Sequence, residues 1–319
     1  MRWIQEERYE ELMHSEVEPY LAARRESGFD ERVAGEPIYF EHYRADQPKG
    51  VIVISHGFTE SILKFREIIY YMLQAGYEVW GVDHRGHGQS YRPNDNPYVV
   101  HAERFDDYVD DLHHLVETRV RPAAGALPLY LYCHSMGGCV GTRLLERYPG
   151  VFQKAVLSSP MLGVNLGKIP VPVAQAMLRV KGAGEKRREP MDPTARFTET
   201  EKDYDTSAAN SLARYRYYLH IKQGDPRYQT CAASMGWIRE SLRACTRACS
   251  KRETAKIQIP VLLCQAGRDT YVRNDAQERF AARVPGCELV RYPELRHELY
   301  VSDLREQVPY WEKIFAFLG

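Results

Sequence analysis

Short apolar runs recur along this chain at intervals that leave room for one helix between each pair. That spacing restricts the fold more than any other feature. Residues 51–54, 77–82, 127–132, 155–157, 261–264 and 289–292 read as strands, with 38–43 as a more weakly alternating first strand. A continuous run such as Val51-Ile52-Val53-Ile54 suits a strand covered on both faces. Helical spacing fills 61–75, 104–120, 137–148 and a closing stretch near 303–317. Parallel strands need crossover connections, so the alternation predicts an α/β fold with a mostly parallel central sheet flanked by helices. It stops between 163 and 230, where Ile169-Pro170-Val171-Pro172, Lys186-Arg187-Arg188 and Arg214-Tyr215-Arg216-Tyr217-Tyr218 lie with no strand-like run. The expected organisation is a polar N-terminal helical arm (1–37), a first core part (38–162), a helical cap inserted over one end of the sheet (163–230) and a second core part (231–319).

The sharpest local signal is Leu131-Tyr132-Cys133-His134-Ser135-Met136-Gly137-Gly138. A buried strand runs into a tight turn and then a helix, with Ser135 at the apex. This is the nucleophile elbow, in which the turn lifts the hydroxyl clear of the sheet. The usual pattern is G-x-S-x-G; here Cys133 stands at the first glycine position. The N–H of Met136 would face an oxyanion, and the backbone N–H of Phe58, in the His56-Gly57-Phe58 turn after the 51–54 strand, would supply the second donor. Eleven histidines make a lone His uninformative, but His297 follows the last strand and precedes the last helix. Asp269 in Ala266-Gly267-Arg268-Asp269 follows the 261–264 strand, so the order nucleophile, acid, base is complete. Asp83 to Ser90 reads as a structural turn through Gly86 and Gly88, and Asp106 to Asp111 as a solvated helix face.

Taken in order, His56-Gly57, Asp83-His84-Arg85-Gly86-His87-Gly88-Gln89-Ser90, His134-Ser135-Met136-Gly137-Gly138, Gly267-Arg268-Asp269 and Arg296-His297-Glu298 resemble the monoacylglycerol lipase and bacterial lysophospholipase branch of the serine α/β-hydrolases. The resemblance covers about 38–317 and is least constrained in the cap. It implies an α/β-hydrolase fold and serine-dependent hydrolysis of a carboxylic ester in a monoacylated glycerolipid, without cofactor or metal. It also implies a cap over the site, with the acyl chain between cap and strand ends. Phe58, Ile169, Val173 and Met177 are the expected substrate contacts, the last three from an apolar cap stripe. The same acyl-enzyme would serve a short-chain carboxylesterase or an acyltransferase. A non-catalytic lipid-binding hydrolase-fold protein is the alternative of a different class, and retention of Ser135, Asp269 and His297 argues against it.

Charge and cysteine content narrow the partners. Lys+Arg and Asp+Glu both total 43, so no global field holds a polyanion, and nucleic acid is not an expected partner. Seven cysteines with no CxxC pair fit neither a disulfide framework nor a zinc ribbon, and suit a reducing, cytoplasmic setting. Cys245 and Cys249 sit four apart with no further ligands to complete a metal site. From 163 to 230 there are 12 basic and 8 acidic residues, a mildly basic cap that leaves peripheral contact with an anionic membrane surface open. Oligomeric state is unreadable.

Overall fold

The computed structural model describes residues 1–319. Eight strands form one sheet: β1 (Arg25–Asp30), β2 (Ile38–Tyr43), β3 (Gly50–Ser55), β4 (Tyr77–Val82), β5 (Leu129–His134), β6 (Lys154–Ser158), β7 (Val261–Ala266) and β8 (Cys287–Tyr292). Their spatial order is β1-β2-β4-β3-β5-β6-β7-β8. Only β1 and β2 run antiparallel to their neighbours, and every later pair is parallel. Each expected strand is present, and the parallel sheet with flanking helices is an α/β-hydrolase fold.

The sheet has a core on each face, and the period-two alternation of the strands divides the residues between them. Val51, Val53, Leu131 and Cys133 pack on one face with the helix Met136–Arg147. Ile52, Ile54 and Tyr132 pack on the other, with the helices Arg66–Gln74 and Leu304–Leu318. Register holds the central strands level: Val53 lies opposite Trp80 on one side and Leu131 on the other. No helix is long and apolar enough to cross a membrane.

The first 37 residues differ from the expected helical arm. Glu6–Arg8, Tyr9–Leu12, Met13–Val17 and Glu18–Ala22 follow one another as continuous helix, but β1 follows at once and extends the sheet edge. The helix is not a solvated surface element either. Tyr9, Leu12, Met13, Val17 and Leu21 are buried, one or two per turn, along with Ile4. Glutamates between them mask this stripe in the sequence. β1 (Arg-Glu-Ser-Gly-Phe-Asp) escapes detection because an edge strand covered on one side needs no apolar run.

Residues 163–230 add no strand to the main sheet. They hold the helices Val171–Lys181 and Leu212–Gly224, with short 3-10 turns between. The next helix, Met235–Ala248, packs on both Val171–Lys181 and Met136–Arg147, and so joins this segment to the sheet. The 212–224 helix rests on the N-terminal helix. Arg214, 4% exposed, donates to both Glu67 carboxylate oxygens at 2.9 and 2.7 Å, to the Ile4 carbonyl at 3.0 Å and to Glu6. Tyr217 donates to Glu18 and meets the Tyr9 ring edge-on.

Candidate active site

β5 delivers Ser135 at the carboxyl end of the sheet. Ser135 has φ 51° and ψ −116°, a conformation that L-residues adopt only when the surroundings impose it. The surroundings are tight. A Cβ on Gly137 would lie 2.1 Å from the Ser55 carbonyl oxygen, so only glycine lets the helix start this close to β3. The departure at Cys133 is accommodated from the helix: a Cβ on Gly141 would lie 2.3 Å from the Cys133 Sγ, so the thiol fills the space that glycine leaves.

Three chain-distant side chains meet at this turn. Ser135 Oγ lies 2.8 Å from His297 Nε2, and His297 Nδ1 lies 2.6 Å from Asp269 Oδ2. Asp269 is itself fixed, because its Oδ1 accepts from the Tyr271 and Val272 N–H groups at 2.9 and 3.0 Å. A buried carboxylate on Nδ1 selects the tautomer that leaves Nε2 free to take the serine proton.

Phe58 and Met136 are the expected oxyanion donors. Met136 is the first residue of its helix, where an N–H has no carbonyl one turn back. The Phe58 N–H has no partner. The loop that carries it is held by His56, whose Nε2 accepts from the His84 N–H at 2.9 Å while Nδ1 lies 2.7 Å from the Gly57 carbonyl. An accepting Nε2 requires the proton on Nδ1, so this ring is neutral and donates to Gly57. Burial agrees, pushing its pKa down to about 4. Gly57 N–H then donates to Glu60 at 2.6 Å.

His56 is one of the four histidines whose pKa burial lowers most. His134 is pushed down to about 3, and His84 and His87 well below their usual value. Unfolded histidines titrate near 6.5, so below that pH the unfolded chain binds protons the fold refuses. Their contribution is complete above pH 6.5 and is lost as pH falls toward 4. Asp83 and Glu146, both pushed up to about 7 by burial, act oppositely: they favour the fold at low pH, and that contribution is lost as pH rises through 4–7. Four histidines outweigh two carboxyls, so the thermal unfolding midpoint is expected to fall between pH 7 and pH 5. A midpoint that rises on acidification would contradict this balance.

A cavity of about 460 Å³ opens at Ser135 between the sheet ends and the 163–230 segment. Phe58, Met161, Val164, Trp237 and Val272 make one wall apolar. The other end is charged, with Glu60, Lys64, Glu298, Lys222 and Glu199 around the Tyr218 ring. Lys64 Nζ lies 2.9 Å from Glu60 and also binds Glu298, while Tyr300 donates to Glu60 at 2.7 Å. Burial opposes charge on both partners. Even so, Lys64 and Tyr300 hold Glu60 well below the usual carboxylate range, and Glu298 and Glu60 hold Lys64 above the usual lysine value. Glu60, His134 and Glu298 have the closeness of a metal site, but the Lys64 ammonium already serves as the cation for both carboxylates.

Of the expected substrate contacts, Phe58 lines the cavity and Ile169, Val173 and Met177 do not. Those three are 48%, 49% and 41% exposed. The reason is helical phase: Val171–Lys181 packs through Ala174 and Leu178 onto Met235 and Leu242, which turns Val173 and Met177 outward. The apolar wall comes instead from Met161, Val164, Trp237 and Val272, which sequence reasoning missed. It also missed Glu60 and Lys64, although their four-residue spacing just after the His56-Gly57-Phe58 turn was a usable signal.

Residues 46–303 match the Hydrolase_4 family, described as serine aminopeptidase, S33. The chain is 32% identical over 254 residues to lysophospholipase L2 of Escherichia coli K12, covering 79% of this chain and 72% of that one. It is 27% identical to a monoacylglycerol lipase of Mycolicibacterium smegmatis, covering 84% and 88%. A soluble variant of monoglyceride lipase from Saccharomyces cerevisiae superposes with a TM-score of 0.74 at 19% identity, covering 93% and 95%, a likeness of fold.

Proposed function

This chain belongs to the Hydrolase_4 family of serine hydrolases and is a lipid-ester hydrolase of the lysophospholipase and monoacylglycerol lipase type, and from that premise we propose that it releases a fatty acid from a monoacylated glycerolipid through an acyl-enzyme on Ser135. The observation that carries this reading is the Ser135–His297–Asp269 hydrogen-bond chain opening into a cavity with one apolar wall and one charged end. His297 Nε2 takes the Ser135 proton as Oγ attacks the ester carbonyl. The Phe58 and Met136 N–H groups hold the oxyanion. His297 then protonates the departing glycerol oxygen, and water activated by the same nitrogen releases the acid. The acyl chain lies along Phe58, Met161 and Trp237, and the leaving group faces Glu60 and Lys64. Residues 163–230 act as the cap.

The test offers wild-type protein a long-chain monoacylglycerol, the matching lysophospholipid and a short-chain ester. Preferential fatty-acid release from the long-chain glycerolipids is expected. A preference for the short ester would replace this reading with a carboxylesterase.

The outward stripe suggests where the enzyme meets its substrate. Ile169, Val173, Met177 and Val180 are exposed beside Lys168, Arg179 and Lys181, an apolar and basic face suited to an anionic bilayer surface. We infer a cytoplasmic protein that touches the membrane through this face. Co-sedimentation with anionic vesicles should weaken in Val173→Ser/Met177→Ser, and unchanged binding would refute the contact.

A further inference from the structure

The charged end of the cavity holds two lysines in different states. Lys64 is enclosed by two carboxylates, Glu60 and Glu298. Lys222, on the last turn of the 212–224 helix, is 7% exposed and has one hydrogen-bond partner, Glu199. An ammonium has three donors, so a buried Lys222 retains donors that its protein partner does not use. Two ring faces also lie near it: Nζ is 4.9 Å from the Phe197 centroid and 6.0 Å from that of Tyr218. The Tyr218 ring also lies 5.2 Å from Lys64 Nζ, so a single ring separates the two cations. Glu199, with 29% of its side chain exposed, is the more accessible half of the pair. Both Lys222 and Glu199 line the same cavity as Ser135.

Charge decides what such an end can take. Lys64 with its two carboxylates is net negative, and the Lys222–Glu199 pair is neutral. A head bearing only a phosphate would draw Lys222 away and set a second negative charge beside the Glu199 carboxylate, and like charges placed side by side oppose binding. A head that carries both a phosphodiester and an ammonium avoids this. The phosphate accepts from Lys222, the ammonium pairs with Glu199, and the internal ion pair is exchanged for two external ones with no net charge added. We propose that Lys222 and Glu199 form a subsite that reads a zwitterionic head, a phosphodiester linked to an ammonium, on the lysophospholipid substrate. This rests on the reading of Ser135 as the nucleophile, and it adds a specificity that the Ser135–His297–Asp269 constellation does not itself contain.

The experiment compares kcat/KM of the full chain for three lipids with one acyl chain: a monoacylglycerol, a lysophosphatidylethanolamine and an anionic lysophosphatidylglycerol. Wild type is expected to prefer the zwitterion to the anion. In Lys222→Met the ratio of zwitterion to monoacylglycerol kcat/KM should fall by about tenfold or more, mainly through KM, as for loss of a hydrogen bond to a charged group. In Glu199→Gln the preference for zwitterion over anion should shrink or reverse. Ratios unmoved in both variants would overturn the subsite, and so would equal losses on all three lipids, the mark of a structural role. If Lys222→Met does not fold, the Glu199→Gln ratio alone decides. Wild-type turnover of monoacylglycerol but of neither lysophospholipid would overturn the subsite and leave the ester-hydrolase reading standing. No turnover of any lipid would overturn that reading itself.

Discussion

Replacing Ser135 by alanine is expected to lower fatty-acid release by at least about 10⁴-fold, since removal of a serine nucleophile leaves only the binding and oxyanion contributions. The fold should survive. The strained backbone at 135 is imposed by Gly137 lying against Ser55 and by the packing of the helix behind it, and alanine meets the same constraint at no greater cost. The variant should therefore keep its unfolding midpoint and lose both turnover and reaction with a fluorophosphonate probe. Asp269→Asn should produce a loss of about 10⁴-fold for a different reason: an amide in place of the carboxylate can favour the wrong His297 tautomer. Its two backbone donors, Tyr271 and Val272, keep the residue in place. Undiminished release by Ser135→Ala would remove the basis for the whole mechanism.

The second large effect is on stability. Arg214→Met should destabilise the protein by about 3–5 kcal/mol, the range for removing one partner of a buried ion pair. Glu67 would be left as a buried carboxylate without its bidentate donor, and the Ile4 carbonyl without a partner. For a chain of this size that corresponds to a fall in the unfolding midpoint on the order of 10 °C. The double variant Arg214→Met/Glu67→Met should recover much of the loss, because the charge left unpaired is then removed as well. Equal destabilisation in the single and double variants would show that packing, not charge, holds the 212–224 helix to the core.

These outcomes follow from features of unequal legibility. The elbow at Ser135 could be read because its chemistry demands a local pattern: an apolar strand, one exposed hydroxyl and small residues where the helix crosses β3. Asp269 and His297 could be read because a parallel sheet puts strand ends on one side, so position after a strand stands for position in space. Neither rule reaches the charged end of the cavity. Lys222 and Glu199 meet through the path of a segment with no strand to fix it, and nothing in their spacing announces the encounter. The 171–181 helix shows a different limit. It has apolar residues at 173 and 177 and also at 174 and 178, and helical periodicity cannot say which pair turns inward. In the N-terminal region, burial of one face of a helix was hidden by glutamates on the other.

The contact between that N-terminal helix and the 212–224 helix has a mechanical consequence. The ceiling of the cavity is restrained unevenly. One side, carrying Tyr218 and Lys222, is braced from behind by Arg214, Tyr217 and their buried partners. The other side, reached through Glu199, Asp203 and Thr206, belongs to a segment that lies mostly at the surface. A chamber built this way would widen at less cost along its outer margin than along the braced one.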